Sequence, residues 1–211
     1  MAEQNWLVRK FRYIARTLPV VARSRSHHIW DLGKSWVIRQ RQPLHDGMPW
    51  ISWPCIDWLE RTLRPGMRVL EYGGGGSTIF FLRHGCDVTT IEGDAKWVDA
   101  IQKRAGPLVP RLTLRYVNNQ SGDPAMRAVY ANQGAIGGPW DLILIDGAWR
   151  EDCAEVAKRN LAPGGFIIVD NTDLPEHAGI YRLMEGYRRT IFSGLGYARR
   201  ELTTTELFER I

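Results

Sequence analysis

From residue 66 onward, apolar and polar positions follow two rhythms. Short runs with apolar middles predict strands: "MRVLEY", "DVTTIEGD", "RLTLRYV", "DLILIDG" and "FIIVDN". Between them, "STIFFLRHG", "AKWVDAIQKRAG" and "REDCAEVAKRNL" space their apolar residues as one face of a helix. Gly85 near the end of the first and "APGG" after the last suit helix ends. "GIYRLMEGYRRTIF" extends the helical spacing, and "YARREL" with "TTELFER" predicts a closing antiparallel pair. Apolar strands alternating with helices are covered on both faces of a mostly parallel sheet. The pattern therefore predicts an α/β chain with a Rossmann-like, doubly wound sheet.

Upstream the rhythm differs. "CIDWLERTL" predicts a helix. Residues 42–54, "QPLHDGMPWISWP", form an ordered connector that covers something, since Trp50 and Trp53 are costly to leave in water. Across 5–22, Trp6, Leu7, Phe11, Ile14, Leu18 and Val21 share one helical face, with Arg9, Arg12 and Arg16 largely off it. Pro19 interrupts or ends that helix. Two readings stay open: packing on the main domain or a second subunit as a homodimer, or rest on an anionic membrane surface. The chain thus divides into a basic amphipathic helical extension, 1–41, and a main domain, 42–211.

Charge sharpens this division. The net charge is +5, but residues 1–41 hold nine Lys/Arg against only Glu3 and Asp31. The remaining 170 residues therefore sum to −2, so the basic character is not the main domain's, which argues against a nucleic-acid partner. There is no long apolar run for a membrane span and no signal-like N-terminus. Cys55, Cys86 and Cys153 match neither metal spacing nor a disulfide framework and suit packing in a reducing compartment. The expectation is a cytoplasmic protein, peripheral on the inner membrane surface if the basic helix is an anchor.

The chemistry concentrates at "VLEYGGGGSTIFF". In parallel sheets ligands sit beyond the carboxyl ends of the strands, and the first strand–helix turn is the usual place. Gly73 to Gly76 let the backbone turn tightly and approach a ligand, and N–H groups opening the next helix can hold an anionic oxygen. A dinucleotide's pyrophosphate would be repelled by Glu71, two residues before Gly73. S-adenosylmethionine, with a sulfonium and an ammonium, would not. The third glycine of the dinucleotide fingerprint is also missing, its place being Thr78 or Ile79. Glu92, twenty-one residues after Glu71, ends the second strand, where an acid can accept hydrogen bonds from ribose hydroxyls, the alternative being a solvated turn acid.

With "VTTIEGD", "WDLILIDG", "LAPGGFIIVDN" and "TTELFER" in order after "VLEYGGGGST", the chain from about residue 50 to the end resembles the class I S-adenosylmethionine-dependent methyltransferases. The resemblance implies a seven-stranded sheet with one antiparallel strand. It implies cofactor contacts from Glu71, Gly73, Gly75, Ser77 and Glu92, from Asn118 or Asn119, and from Asp146. The terminal block and "PWISWP" are similar to bacterial enzymes that resemble sugar or small-molecule O-methyltransferases. The first 40 residues have no counterpart.

Asp146 closes the fourth strand, and Asp170 with Asn171 closes the fifth. Adjacent parallel strands would gather these oxygens, hard ligands suited to Mg²⁺. Metal-dependent relatives of the catechol type carry Asp, then Asp-Asn, in these places, and use the ion to acidify an acceptor hydroxyl. The alternative is that Asp146 touches only the cofactor while Asp170-Asn171 forms a turn or cap. Arg150 stands where those enzymes place a lysine base and is itself a poor base. His177, in "NTDLPEHAG", is the better candidate, set against an exposed histidine without a role. Asp146 and His177 are thus the expected catalytic pair. The other histidines form no legible constellation, and Trp50, Trp53, Trp140 and Trp149 either line an acceptor pocket or pack.

The expected function is methyl transfer to a hydroxylated small molecule or glycan precursor. One rival is a cofactor-binding sensor or scaffold without turnover. The other is a nucleic-acid methyltransferase, disfavoured because "IDGAWR" follows the fourth strand in place of an "NPPY"-type or "DPPY"-type segment.

Overall fold

The structure is a computed structural model that describes residues 42–119, 123–198 and 202–211. The helix expected over 5–22, with its expected membrane or subunit contact, lies outside the described residues. Strands β1 (Arg68–Tyr72), β2 (Asp87–Glu92), β3 (Leu112–Tyr116), β4 (Trp140–Ile145), β5 (Leu161–Asp170), β6 (Tyr187–Leu195) and β7 (Leu202–Arg210) form one sheet in the order β3-β2-β1-β4-β5-β7-β6. Only β7 runs against its neighbours. The sheet is the doubly wound one expected.

Alternation along the strands feeds two cores. Leu70, Tyr72, Ile143, Ile145, Ile167 and Val169 face one side, with α5 (Pro124–Asn132), α6 (Arg150–Asn160) and α7 (Gly179–Leu183). Val69, Val88, Leu142, Leu144, Ile168 and Leu207 face the other, with α2 (Trp53–Thr62) and α3 (Gly76–Arg83). Full burial of each such aliphatic side chain contributes roughly 1.5–3 kcal/mol. Helix α3 is buried from Gly76 through Leu82, so both its ends and its register are fixed by packing. The three cysteines are buried free thiols. No helix among the described residues is long and apolar enough to cross a membrane.

Local chemistry explains where helices start. Asp94 caps α4 (Ala95–Ala105) by accepting from the Lys96 N–H at 2.8 Å. Asp123 does the same for α5 with Ala125, and Pro124 fits the first turn. Helix α5 is absent from the sequence reading, although Asp-Pro was its signal. Helix α6 opens on Glu151 and Asp152 and closes on Lys158 and Arg159, signs that match the helix dipole.

The helix expected across 179–192 ends at Leu183, and β6 takes over from Tyr187. Gly186, at φ +83°, turns the chain between them. Cross-strand pairs then hold β6: Arg188 to Glu209, and Arg189 to Glu206 through two bonds of 2.5 and 2.6 Å. The partner of β7 on that side is thus 187–195, while residues 199–201 of the expected "YARREL" strand lie outside the described residues.

The connector folds over the sheet edge. Its short helix α1 (Pro43–Asp46) and the following turn press on the start of α3, where a Cβ at Gly76 would lie 2.0 Å from the Met48 carbonyl oxygen. Tyr197 Oη donates to Asp46 at 2.5 Å, and its N–H donates to Ile51 O at 3.0 Å. Residues 42–52 are thereby clamped beside the glycine turn.

Candidate functional site

Strands β1, β2 and β4 end together at the point where strand order reverses, between β1 and β4. Gly73 leaves β1 at φ +86° and donates its N–H to Ile91 O at 2.9 Å. A Cβ there would stand 2.8 Å from both N and Cα of Gly147, the first glycine after β4. Two turns are therefore packed backbone to backbone. Gly75 differs: its φ of 167° is extended backbone, and a Cβ would meet only the Trp97 ring, at 3.6 Å. Its missing side chain leaves room on the ligand side.

A cavity of about 450 Å³ opens over these turns, an ordinary size for a small-molecule site. Of the residues expected from sequence, Gly73, Gly75, Ser77, Glu92, Asp146 and Asn171 line it. Glu92 is only 8% exposed, and its carboxylate accepts three backbone N–H groups: Gly74 at 2.9 Å, Gly93 at 2.7 Å and Asp94 at 2.8 Å. It ties the end of β2 to the glycine turn and presents a negative wall to the cavity.

Four expected residues are placed elsewhere. The Glu71 carboxyl is fully buried behind the turn and does not line the cavity. It accepts from Thr78 Oγ1 at 2.5 Å and Thr90 Oγ1 at 2.9 Å, and Thr78 Oγ1 in turn accepts from the Gly75 N–H at 3.0 Å. Its acid therefore braces the turn from below and does not face a positive ligand. Asn118 is exposed and off the cavity wall; its neighbour Asn119 lines it. His177 sits in a short turn, Pro175–His177, off the wall. Its pKa is lowered by partial burial first and by the Arg150 charge next.

Asp170 is the fourth. Strand alternation turns its carboxylate into the layer under α2, where it is fully buried and accepts from Thr205 Oγ1 at 2.5 Å. Only Asp146 and Asn171 of the expected metal ligands reach the cavity, and a guanidinium lies between them. Arg150 donates to Asp146 Oδ1 at 3.0 Å and to Asn171 Oδ1 at 3.4 Å. Among the described residues no group of three or more His, Cys, Asp or Glu could hold a metal ion. The donor set does not fit the expected Mg²⁺.

Some wall residues were not expected from the sequence. Trp97 donates Nε1–H to Gly74 O at 2.5 Å and stays 41% exposed. Its signal was its place one turn after the Glu92-Gly93-Asp94 corner. Of the tryptophans left open between lining a pocket and packing, Trp50, 47% exposed, lines the cavity. Trp140 is buried with its Nε1–H on Gly134 O at 2.7 Å, and Trp149 packs edge-on against Tyr130. Tyr130, from the overlooked α5, reaches the cavity floor.

Glu71 carries a pH dependence. Burial pushes its carboxyl up to about 7, bonds from Ser77, Thr78 and Thr90 oppose the rise, and the nearby Glu92 charge adds to it. Between the ordinary carboxylate range and about 7 the folded chain keeps a proton that the unfolded chain has released. This group's contribution to stability therefore falls as pH rises through that window and levels off above it. Glu71→Gln is expected to stabilise the fold by roughly 2–3 kcal/mol at about pH 8 and by little near pH 5, measured by urea unfolding. Equal effects at both pH values would show that the carboxyl is not raised.

These fittings suit S-adenosylmethionine. Glu92 offers acceptors for ribose hydroxyls, the start of α3 at Gly76-Ser77 can take the cofactor's carboxylate, and the Trp97 and Trp50 rings give apolar walls. No family model matches the chain. A stretch of 54 residues, 24% of the chain, is 37% identical to the ribosomal protein L11 methyltransferase of Burkholderia thailandensis, and the match spans only 18% of that protein. Among solved structures, the O-methyltransferase from Bacillus cereus in complex with SAH (S-adenosylhomocysteine) superposes with TM-score 0.53 at 22% identity, over 69% of this chain and 74% of that one. Cofactor-bound Rv0187 from MTB superposes with TM-score 0.52 at 25% identity, over 68% and 72%. Sheet order, the lone antiparallel strand and these neighbours agree: the chain has the class I S-adenosylmethionine-dependent methyltransferase fold.

Proposed function

We propose that this protein transfers a methyl group from S-adenosylmethionine to an oxygen of a hydroxylated small molecule or glycan precursor. One observation carries the proposal: Glu92, three times bonded to backbone N–H groups, stands on the same cavity wall as the open glycine turn and the Trp97 ring. When bound there, the cofactor supplies an electrophilic methyl group on its sulfonium. The chain's part is to place the acceptor oxygen in line with it, and positioning accounts for much of the rate in such displacements. Asp146 lines the cavity and is 24% exposed, so its carboxylate is a wall group able to orient the acceptor or take its proton. Trp50 offers a flat apolar face on which a sugar or aromatic ring can rest.

The name of the Bacillus cereus neighbour supports an oxygen acceptor. So does "IDGAWR" after β4, which lacks the polar clamp expected for a nucleobase amine. The basic segment 1–41 would draw the enzyme toward anionic or lipid-linked acceptors. The test is formation of S-adenosylhomocysteine from S-adenosylmethionine with a panel of sugars, catechols and glycan precursors, run beside RNA and ribosomal protein. Turnover with a hydroxylated acceptor, reduced at least tenfold in Asp146→Asn, is expected. Turnover with RNA or protein alone would overturn the acceptor class. Tight cofactor binding without turnover on any acceptor would favour a sensor.

A further inference from the structure

We infer that the guanidinium of Arg150 is the resident cation of this cavity, standing where a divalent metal would have to sit, so that methyl transfer by this chain runs without one. The part concerning transfer rests on the function proposed above; the part concerning the cation does not.

An arginine side chain has five N–H donors in a fixed plane. All five end on oxygen in this structure. Nε donates to Gly147 O at 3.2 Å. One terminal nitrogen donates to Asp170 O and to Asn171 Oδ1, the latter at 3.4 Å. The other donates to Asp146 O at 3.2 Å and Asp146 Oδ1 at 3.0 Å. The side chain is 11% exposed and lines the cavity. Two side-chain oxygens and three carbonyls around one charge resemble the shell of a hard cation. They come from the ends of β4 and β5, where the metal ligands were sought.

Neighbouring geometry fixes this arrangement. Asn171 sits in the left-handed region at φ +53° and donates Nδ2–H to Thr203 Oγ1 at 2.8 Å, which leaves its Oδ1 turned to the guanidinium. The Asp170 carboxylate points into the opposite layer, so only its carbonyl takes part. A divalent ion bound to Asp146 and Asn171 would lie against a fixed positive charge in a half-enclosed cavity, where repulsion is poorly screened. Arg150 thus supplies the positive potential beside the acceptor end that an ion would otherwise supply. Because its donors are used, it acts on the acceptor through its field and by holding Asp146, which makes it a positioning residue.

The test is a titration with Mn²⁺, bound ion read by electron paramagnetic resonance, on the wild-type chain and on Arg150→Ala, Arg150→Lys and Asp146→Asn. Wild type and Arg150→Lys, which keeps the charge, should bind no ion that Asp146→Asn removes. Arg150→Ala should gain affinity by about tenfold or more, since it frees five oxygens and removes the repulsion. Circular dichroism and S-adenosylhomocysteine binding, read separately, show whether each variant is folded and whether the cofactor reading holds; a chain that fails to bind S-adenosylhomocysteine would sink that reading and leave the Mn²⁺ result standing. Wild-type binding of Mn²⁺ that depends on Asp146 would overturn the inference, as would a folded Arg150→Ala no different from wild type. If Arg150→Ala does not fold, the wild-type and Asp146→Asn arms decide alone.

Discussion

Gly73→Ala is expected to abolish binding of S-adenosylhomocysteine and to cost roughly 2–4 kcal/mol of stability. The backbone at Gly73 is in the left-handed region, φ +86°, where a Cβ is strained in any surroundings. The surroundings are also hostile: the new carbon would sit 2.8 Å from N and Cα of Gly147. Both are main-chain atoms, so no side chain can swing aside. Relief must come from parting the β1 and β4 turns, which form the floor of the cavity. Gly66→Ala is the control. Its φ is +83° but nothing lies within 4 Å of the added carbon. It should cost about 1–2 kcal/mol and leave binding unchanged. Urea unfolding and calorimetric titration of both variants check the pair. Equal binding by the two would mean that the packed turns do not hold the ligand.

Glu92→Ala is expected to weaken S-adenosylhomocysteine binding by about 100-fold or more, some 2.7 kcal/mol. Two losses combine. The ligand loses a carboxylate acceptor. The cavity wall loses the group that holds Gly74, Gly93 and Asp94 N–H in place, and those donors are left to find water. Glu92→Gln separates the two, because its amide oxygen can still serve two of the three donors while its NH₂ opposes the third. An intermediate loss is expected for it. Unchanged affinity in Glu92→Ala, with the variant folded, would remove this residue from the binding role.

Much of this architecture was legible in the sequence because burial imposes it. A strand such as "DLILIDG", covered on both faces, has no choice but a continuous apolar middle, and the acid and glycines after it mark the sheet's working edge. The place of Glu92 on the cavity wall was legible for the same reason: a strand's end points its last residue at the sheet's working edge. Glu71 misled because period two says which face a residue takes and not how deep it lies. Its face is the one capped by Thr78 of α3, so the carboxyl found hydroxyls before it found the cavity. Asp170 misled in the same manner, one residue out of phase with Asn171. The spacing of Tyr187 to Leu195 suits a helix as well as a strand, and Glu206 and Glu209 across the sheet decide it. Arg150 was visible only as a missing base. Its five partners come from two loops distant in sequence, which no local pattern brings together.

A cavity over the glycine turn that suits S-adenosylmethionine should take it and not a dinucleotide. Calorimetric titration of the purified chain with S-adenosylhomocysteine, run beside NAD⁺, tests it most directly. One equivalent of S-adenosylhomocysteine should bind, and NAD⁺ should give no heat beyond dilution. Binding of NAD⁺ in its place, or of neither, would contradict the account.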